Sequence, residues 1–100
     1  MQLGNIETFP GVKADKAQAL KVLEESAEVY AALQERDERN PYTTKQLLNE
    51  CADVIMAVSN MAAALGITDF TPYIRACETR NHERGRYEQP ENTSIKARRS

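Results

Sequence analysis

Four acidic residues stand in two pairs with the same internal spacing, Glu25-x-x-Glu28 and Glu50-x-x-Asp53. A helix advances about 100° per residue, so a separation of three sets both members of a pair on one face, roughly 60° apart and one turn apart in height. If the two carrier segments are antiparallel neighbours, the four carboxylates face each other across the groove between them. They then offer oxygen ligands to a hard cation, for which magnesium or manganese is the best fit. A di-iron bundle also uses carboxylates on facing helices, but it needs a histidine three residues after a glutamate on two helices. The sole histidine, His82, meets no such requirement. It lies among charges near the end of a helical stretch, where a solvated or locally bonded imidazole is the simpler reading. Taken alone, Glu24, Glu25 and Glu28 also fit a plain solvated helix face.

The elements that must position these acids follow from periodicity. Glu50 and Asp53 lie inside the most apolar stretch, Thr44 to Leu65, where Leu47, Cys51, Val54, Val58, Met61 and Leu65 form a stripe at helical spacing. From Cys51 to Leu65 the only charge is Asp53, which puts the acids at the margin of a core, where charge is costly without a cation. Lys45, Glu50, Asp53 and Asn60 argue against a membrane span, since a mid-span acid costs about 2.5 to 3.5 kcal/mol. The first pair belongs to a helix expected over residues 15–36, with Asp15 as N-cap. Leu20, Leu23, Ala27, Tyr30 and Ala31 make its stripe, and Val22, Val29 and Leu33 widen it. Gln34 to Thr43 is polar and Asn40-Pro41 marks the break, after which Thr43 or Thr44 caps a second helix over 44–65 that stops at Gly66. A third helix is expected over 70–83. Asp69 or Thr71 caps it, Pro72 sits in its first turn, Ile74 and Cys77 face inward, and Gly85 ends it. Met1 to Val12 reads as an irregular lead-in, and 87–100 as a polar basic tail that is flexible or docks on a partner subunit.

One hundred residues suit one small all-α domain, here 1–86, of a size at which a second subunit often completes the burial. With 13 basic and 15 acidic residues the net charge is −2, which points away from direct nucleic-acid binding and from anionic membranes. The charges are unevenly placed: acids dominate Glu24 to Glu38, while Arg75, Arg80, Arg84, Arg86, Lys96, Arg98 and Arg99 make the last quarter cationic. Cys51 and Cys77 read as reduced packing residues. MQLGNIETFPG lacks the pattern of a signal peptide, so a cytoplasmic protein is expected. There is no glycine-rich phosphate loop, serine or cysteine nucleophile motif, or CxxC cluster.

The run LEESAEVYAAL followed by NECADVIMAV resembles the MazG-like all-α nucleoside triphosphate pyrophosphohydrolases, a group with many small phage and prophage members. Their pattern is E-x-x-E, a spacer, then E-x-x-D. Glu25, Glu28, Glu50 and Asp53 supply it in order, and the likeness extends roughly from Ala14 to Arg86. The resemblance implies an antiparallel helical bundle whose four-helix unit is completed in a dimer or tetramer. It implies hydrolysis of a nucleoside triphosphate between the α and β phosphates, giving a monophosphate and pyrophosphate. It further implies Mg²⁺, with Mn²⁺ as a substitute, on the four carboxylates, and Glu24 or Glu25 as the base that takes a proton from the attacking water. The segment ETRNHERGRYE is similar to the basic stretch of that family and assigns Arg80, Arg84 and Arg86 to the triphosphate, as planar bidentate donors. Asn60, two turns beyond Asp53 on the same face, either reads base or sugar or bonds one helix to the other. With no tryptophan present, the aromatic wall some relatives use has no counterpart beyond Phe9, Tyr30 or Tyr42. A rival reading is a non-catalytic oligomeric adaptor, regulator or nucleotide-binding protein. It accounts for the helices and the tail, but not for acids that interrupt an apolar helix opposite a matching pair.

Overall fold

The computed structural model describes residues 1–89, so most of the 87–100 tail lies outside the described residues. Three helices follow one another, α1 Lys16–Gln34, α2 Pro41–Ala64 and α3 Thr71–Glu83, and the described residues contain no strand. The chain divides into two compact units, with the boundary between Thr68 and Asp69. α3 is largely polar and buries none of its residues.

In the first unit the helix ends are set by local hydrogen bonding. Asp15, in extended backbone, accepts from the Gln18 N–H at 3.0 Å and starts α1 where expected. α2 starts earlier than the expected Thr44. Asn40 is its cap, accepting from the Tyr42 N–H at 3.1 Å, and Pro41 takes the first helical turn, where a missing N–H is no loss. The Asn40-Pro41 break is thus the helix start itself. Thr43 and Thr44 brace the connection instead: Thr43 Oγ1 accepts from the Asp37 N–H at 3.0 Å, and Thr44 Oγ1 accepts from Arg36 Nε at 2.9 Å. At the other end Gly66 adopts φ +86°. The Ile67 N–H reaches Ala62 O at 3.0 Å and the Gly66 N–H reaches Ala63 O at 2.9 Å, the paired bonds of a Schellman stop.

Across the hairpin Gln18 pairs with Ala57, Glu28 with Glu50, and Arg36, just beyond the end of α1, with Thr44. The partners run in opposite order along the two helices, so the hairpin is antiparallel. The inward residues are Gln18, Val22, Glu25, Val29 and Ala32 on α1, and Thr43, Leu47, Glu50, Val54, Ala57 and Met61 on α2. Their alternating spacing of four and three is that of a coiled-coil seam. This corrects the expected packing face of α1. Leu20, Leu23, Ala27 and Tyr30 point outward, with Leu23 65 % and Tyr30 64 % exposed. α1 carries two stripes, and the hairpin closes on the less apolar one, which contains an acid. Ala57 is accordingly the only buried apolar residue among the described residues.

The second unit contains α3. Asp69 Oδ1 accepts from the Thr71 N–H at 3.0 Å just ahead of the helix, and Phe70 holds the cap position without a side-chain bond of its own. The Thr71 hydroxyl first, and then that backbone bond, hold the Asp69 carboxyl below its ordinary range. Gly85, at φ +75°, ends the helix with bonds from Gly85 N to His82 O and from Arg86 N to Asn81 O, both 3.0 Å. Ile74 and Cys77, expected inward, are exposed. His82 is locally engaged, its ring 4.0 Å from that of Tyr87. Both cysteines are free thiols.

Candidate metal centre

Glu25 occupies the middle of the α1 seam and is 8 % exposed. A carboxylate so placed needs a counter-charge, and the sequence provides one a turn earlier: Lys21 Nζ lies 3.0 Å from Glu25 Oε1. The same contact raises the Lys21 ammonium above its ordinary value, first through the hydrogen bond and then through the Glu25 charge, with smaller contributions from Glu24 and Glu28.

Glu50 occupies the matching seam position on α2. One carboxylate oxygen each from Glu25, Glu28 and Glu50 lies within 4.8 Å of the others, a spacing at which three oxygens can close on one hard cation. Glu28 is exposed and flanks the seam, and its length brings it to the group. Glu50 Oε2 is buried and has no hydrogen-bond partner among the described residues. The Glu50 carboxyl titrates above its ordinary value. The main cause is hydrogen bonding with Glu28, followed by burial and then by the charges of Glu28, Asp53 and Glu25. Three convergent oxygens, one of them on a carboxylate whose other oxygen is buried and unpartnered, could hold a divalent hard cation.

The other residues singled out from the sequence fall differently. Asp53 is exposed and is not one of the three grouped ligands; like Glu28 it sits just before a seam position, but its side chain is one methylene shorter. Its charge still bears on Glu50. Glu24 is exposed on the outward flank of α1. Asn60 is 3 % exposed, and its Oδ1 accepts from the backbone N–H of Phe9 at 2.8 Å. It therefore ties the lead-in to α2, a role that neither sequence reading of Asn60 contained. Arg80 stands in the last turn of α3, Arg84 is its C-cap residue and Arg86 follows Gly85, all in the second unit. Sequence reasoning missed Lys21 and Gln18. Lys21 had a legible signal, a lysine four residues before a glutamate on one helix face. Gln18, whose Nε2 donates to Ala57 O at 2.9 Å, had none.

Two grooves flank the acids. One, of about 670 Å³, runs between the lead-in and the two helices and includes Lys21, Glu25, Asp53 and Asn60 in its walls. The other, of about 410 Å³, is bounded by Glu28, Tyr42, Gln46 and Glu50 over the small residues Ala31 and Ala32. Among the described residues no helix is long and apolar enough to cross a membrane. Compared with protein-family models, curated proteins and solved structures, the chain matches none.

Proposed function

We propose that this chain is a magnesium-dependent nucleoside triphosphate pyrophosphohydrolase of the MazG-like type, cleaving between the α and β phosphates. The observation that carries this reading is the convergence of Glu25, Glu28 and Glu50 from two antiparallel helices, with Glu50 Oε2 buried and unpartnered. Glu25, Glu28 and Glu50 hold Mg²⁺ or Mn²⁺, and Asp53 completes the negative field around them. The bound cation supplies charge neutralisation of the triphosphate and polarises the scissile phosphate. Glu24 or Glu25 is assigned as the base that accepts a proton from the attacking water by the resemblance to the family. Arg80, Arg84 and Arg86 are assigned to phosphate oxygens by their resemblance to the family's basic stretch.

The functional form in this proposal is a homodimer or a dimer of dimers. The outward stripe Leu20, Leu23 and Tyr30 supports it, together with Leu48 on α2 and Leu65 at its C-cap, because a hairpin with so small a core needs a second apolar layer. The same exposed stripes favour the second reading, an oligomeric adaptor or nucleotide-binding protein without turnover. The deciding experiment is pyrophosphate release from a panel of canonical and modified nucleoside triphosphates, with magnesium or chelator, for wild type and Glu50→Gln. Magnesium-dependent release that Glu50→Gln abolishes establishes the enzyme. A folded, metal-binding oligomer that releases none supports the adaptor.

A further inference from the structure

The residues ahead of α1 have no regular structure, yet they are held against the hairpin. Phe9 donates its backbone N–H to Asn60 Oδ1 at 2.8 Å over a separation of 51 residues, and Ile6, Thr8 and Val12 are half-buried. Among the described residues this is the one hydrogen bond that joins residues 1–12 to the helices. The acceptor is almost wholly enclosed, while Phe9 itself is 59 % exposed. Pro10 and Gly11 present the Phe9 N–H to it: Gly11 has φ +79°, and proline followed by a positive-φ glycine is the type II turn pattern. A Cβ at Gly11 would meet nothing within 4 Å, so the glycine is there for its backbone alone. Phe9, Gly11 and Val12 line the same groove as Glu25 and Asp53.

We propose that residues 1–12 are a strap, latched by Phe9 and Asn60, that controls entry to this groove. With the latch made, the backbone from Phe9 to Val12 closes one side of the groove. With it broken, the strap is retained only by the partial burial of Ile6, Thr8 and Val12, and it lifts from the Pro10–Gly11 turn while both helices stay folded. A local opening of this kind gates access without global unfolding, and it stands whether or not the acids hold a metal.

The test uses the full-length chain in two measurements, amide hydrogen exchange at Phe9 and thiol labelling by a disulfide reagent at Met56→Cys, a groove-wall position, with Cys51→Ala and Cys77→Ala as background. Gly11→Ala is the decisive variant, since it strains only the left-handed turn. Exchange at Phe9 and labelling at position 56 should each accelerate about 5- to 30-fold, with the circular dichroism of the helices unchanged. Asn60→Ala should release the latch further. The proposal is overturned if Phe9 exchanges at the unprotected rate in the wild type, if Gly11→Ala leaves both rates unaltered, or if exchange accelerates and labelling does not.

Discussion

Lys21 Nζ lies 3.0 Å from Glu25 Oε1, one turn away on the same helix, so Glu25 has a cation of its own while Glu50, beside Glu28, has none and its carboxyl is pushed above its ordinary range. The acidic trio is therefore asymmetric. One member is paired within the chain, and the other two face each other. A divalent ion entering the trio would compete with the lysine.

The sign of the pH dependence follows from Glu50. Its folded-state pKa is raised, so its contribution to stability is fully present below the ordinary glutamate value, about 4.3, and is lost as pH rises through the raised value. In chelator, the melting temperature of wild type relative to Glu50→Gln should fall as pH increases from the ordinary carboxylate range toward neutrality. Magnesium should close that gap and release protons on binding, which calorimetry in buffers of different ionisation enthalpy measures. A gap that does not vary with pH would remove the raised Glu50 titration from the account.

Glu50→Gln should leave the metal-free hairpin as stable as wild type or more so at neutral pH, because it removes one of two repelling charges and retains a hydrogen-bonding group. Magnesium affinity should fall by more than the roughly 10- to 100-fold typical of losing an outer-shell partner. Titration calorimetry and thermal melts on the same samples separate the two effects. A large loss of stability with metal binding intact would instead make Glu50 a structural residue.

Lys21→Met should act in the opposite sense on the metal. Removing a competing surface cation should tighten magnesium binding by about 1.5- to 5-fold, the scale of an exposed ion pair. In metal-free protein Glu25 would then be left without its partner, so the melting temperature in chelator should drop. Weaker magnesium binding in Lys21→Met would contradict competition between lysine and metal.

The outward stripe of α1 gives a prediction about assembly. Wild type should scatter light as at least a dimer, and Leu23→Glu, at an exposed position, should shift it to monomer and reduce its helical signal. An exposed leucine that met no partner would tolerate glutamate with little change, and that outcome would sink the self-association reading.

Arg80→Ala, Arg84→Ala and Arg86→Ala test the basic stretch. A charge-assisted hydrogen bond to phosphate is worth about 10- to 150-fold in affinity, so at least one of the three should raise KM on that scale and leave magnesium binding unaltered. Three variants with wild-type KM would withdraw these residues from substrate binding.

The sequence made the helices legible because their caps are local. Asp15, Gly66 and Gly85 each act through bonds to residues a few positions away, and each was read correctly. Asn40 was read as a break and not as a cap, since the same Asn-Pro pair ends one regular segment and begins another. The acids at 25, 28 and 50 were legible from spacing, and their convergence needed only the antiparallel hairpin. The face of α1 was not legible. The stripe of Leu20, Leu23, Ala27 and Tyr30 holds no charge, whereas that of Val22 and Val29 includes Glu25, and the identity of the stripe that meets α2 depends on both helices together. The Phe9–Asn60 bond was beyond reach for the same reason, since a backbone donor in an irregular segment leaves no trace in side-chain pattern.

The placement of Glu25 and Glu50 in the middle of the seam has a consequence for how this chain responds to selection. Valine or leucine at either position would fit the seam spacing and strengthen the hairpin, whereas acids there weaken it unless something bound answers their charge. A library of variants sorted only for heat resistance would therefore lose the glutamates at 25 and 50 early. Sorting in the presence of whatever the acids hold would keep them, and the difference between the two populations would mark the ligand's footprint residue by residue.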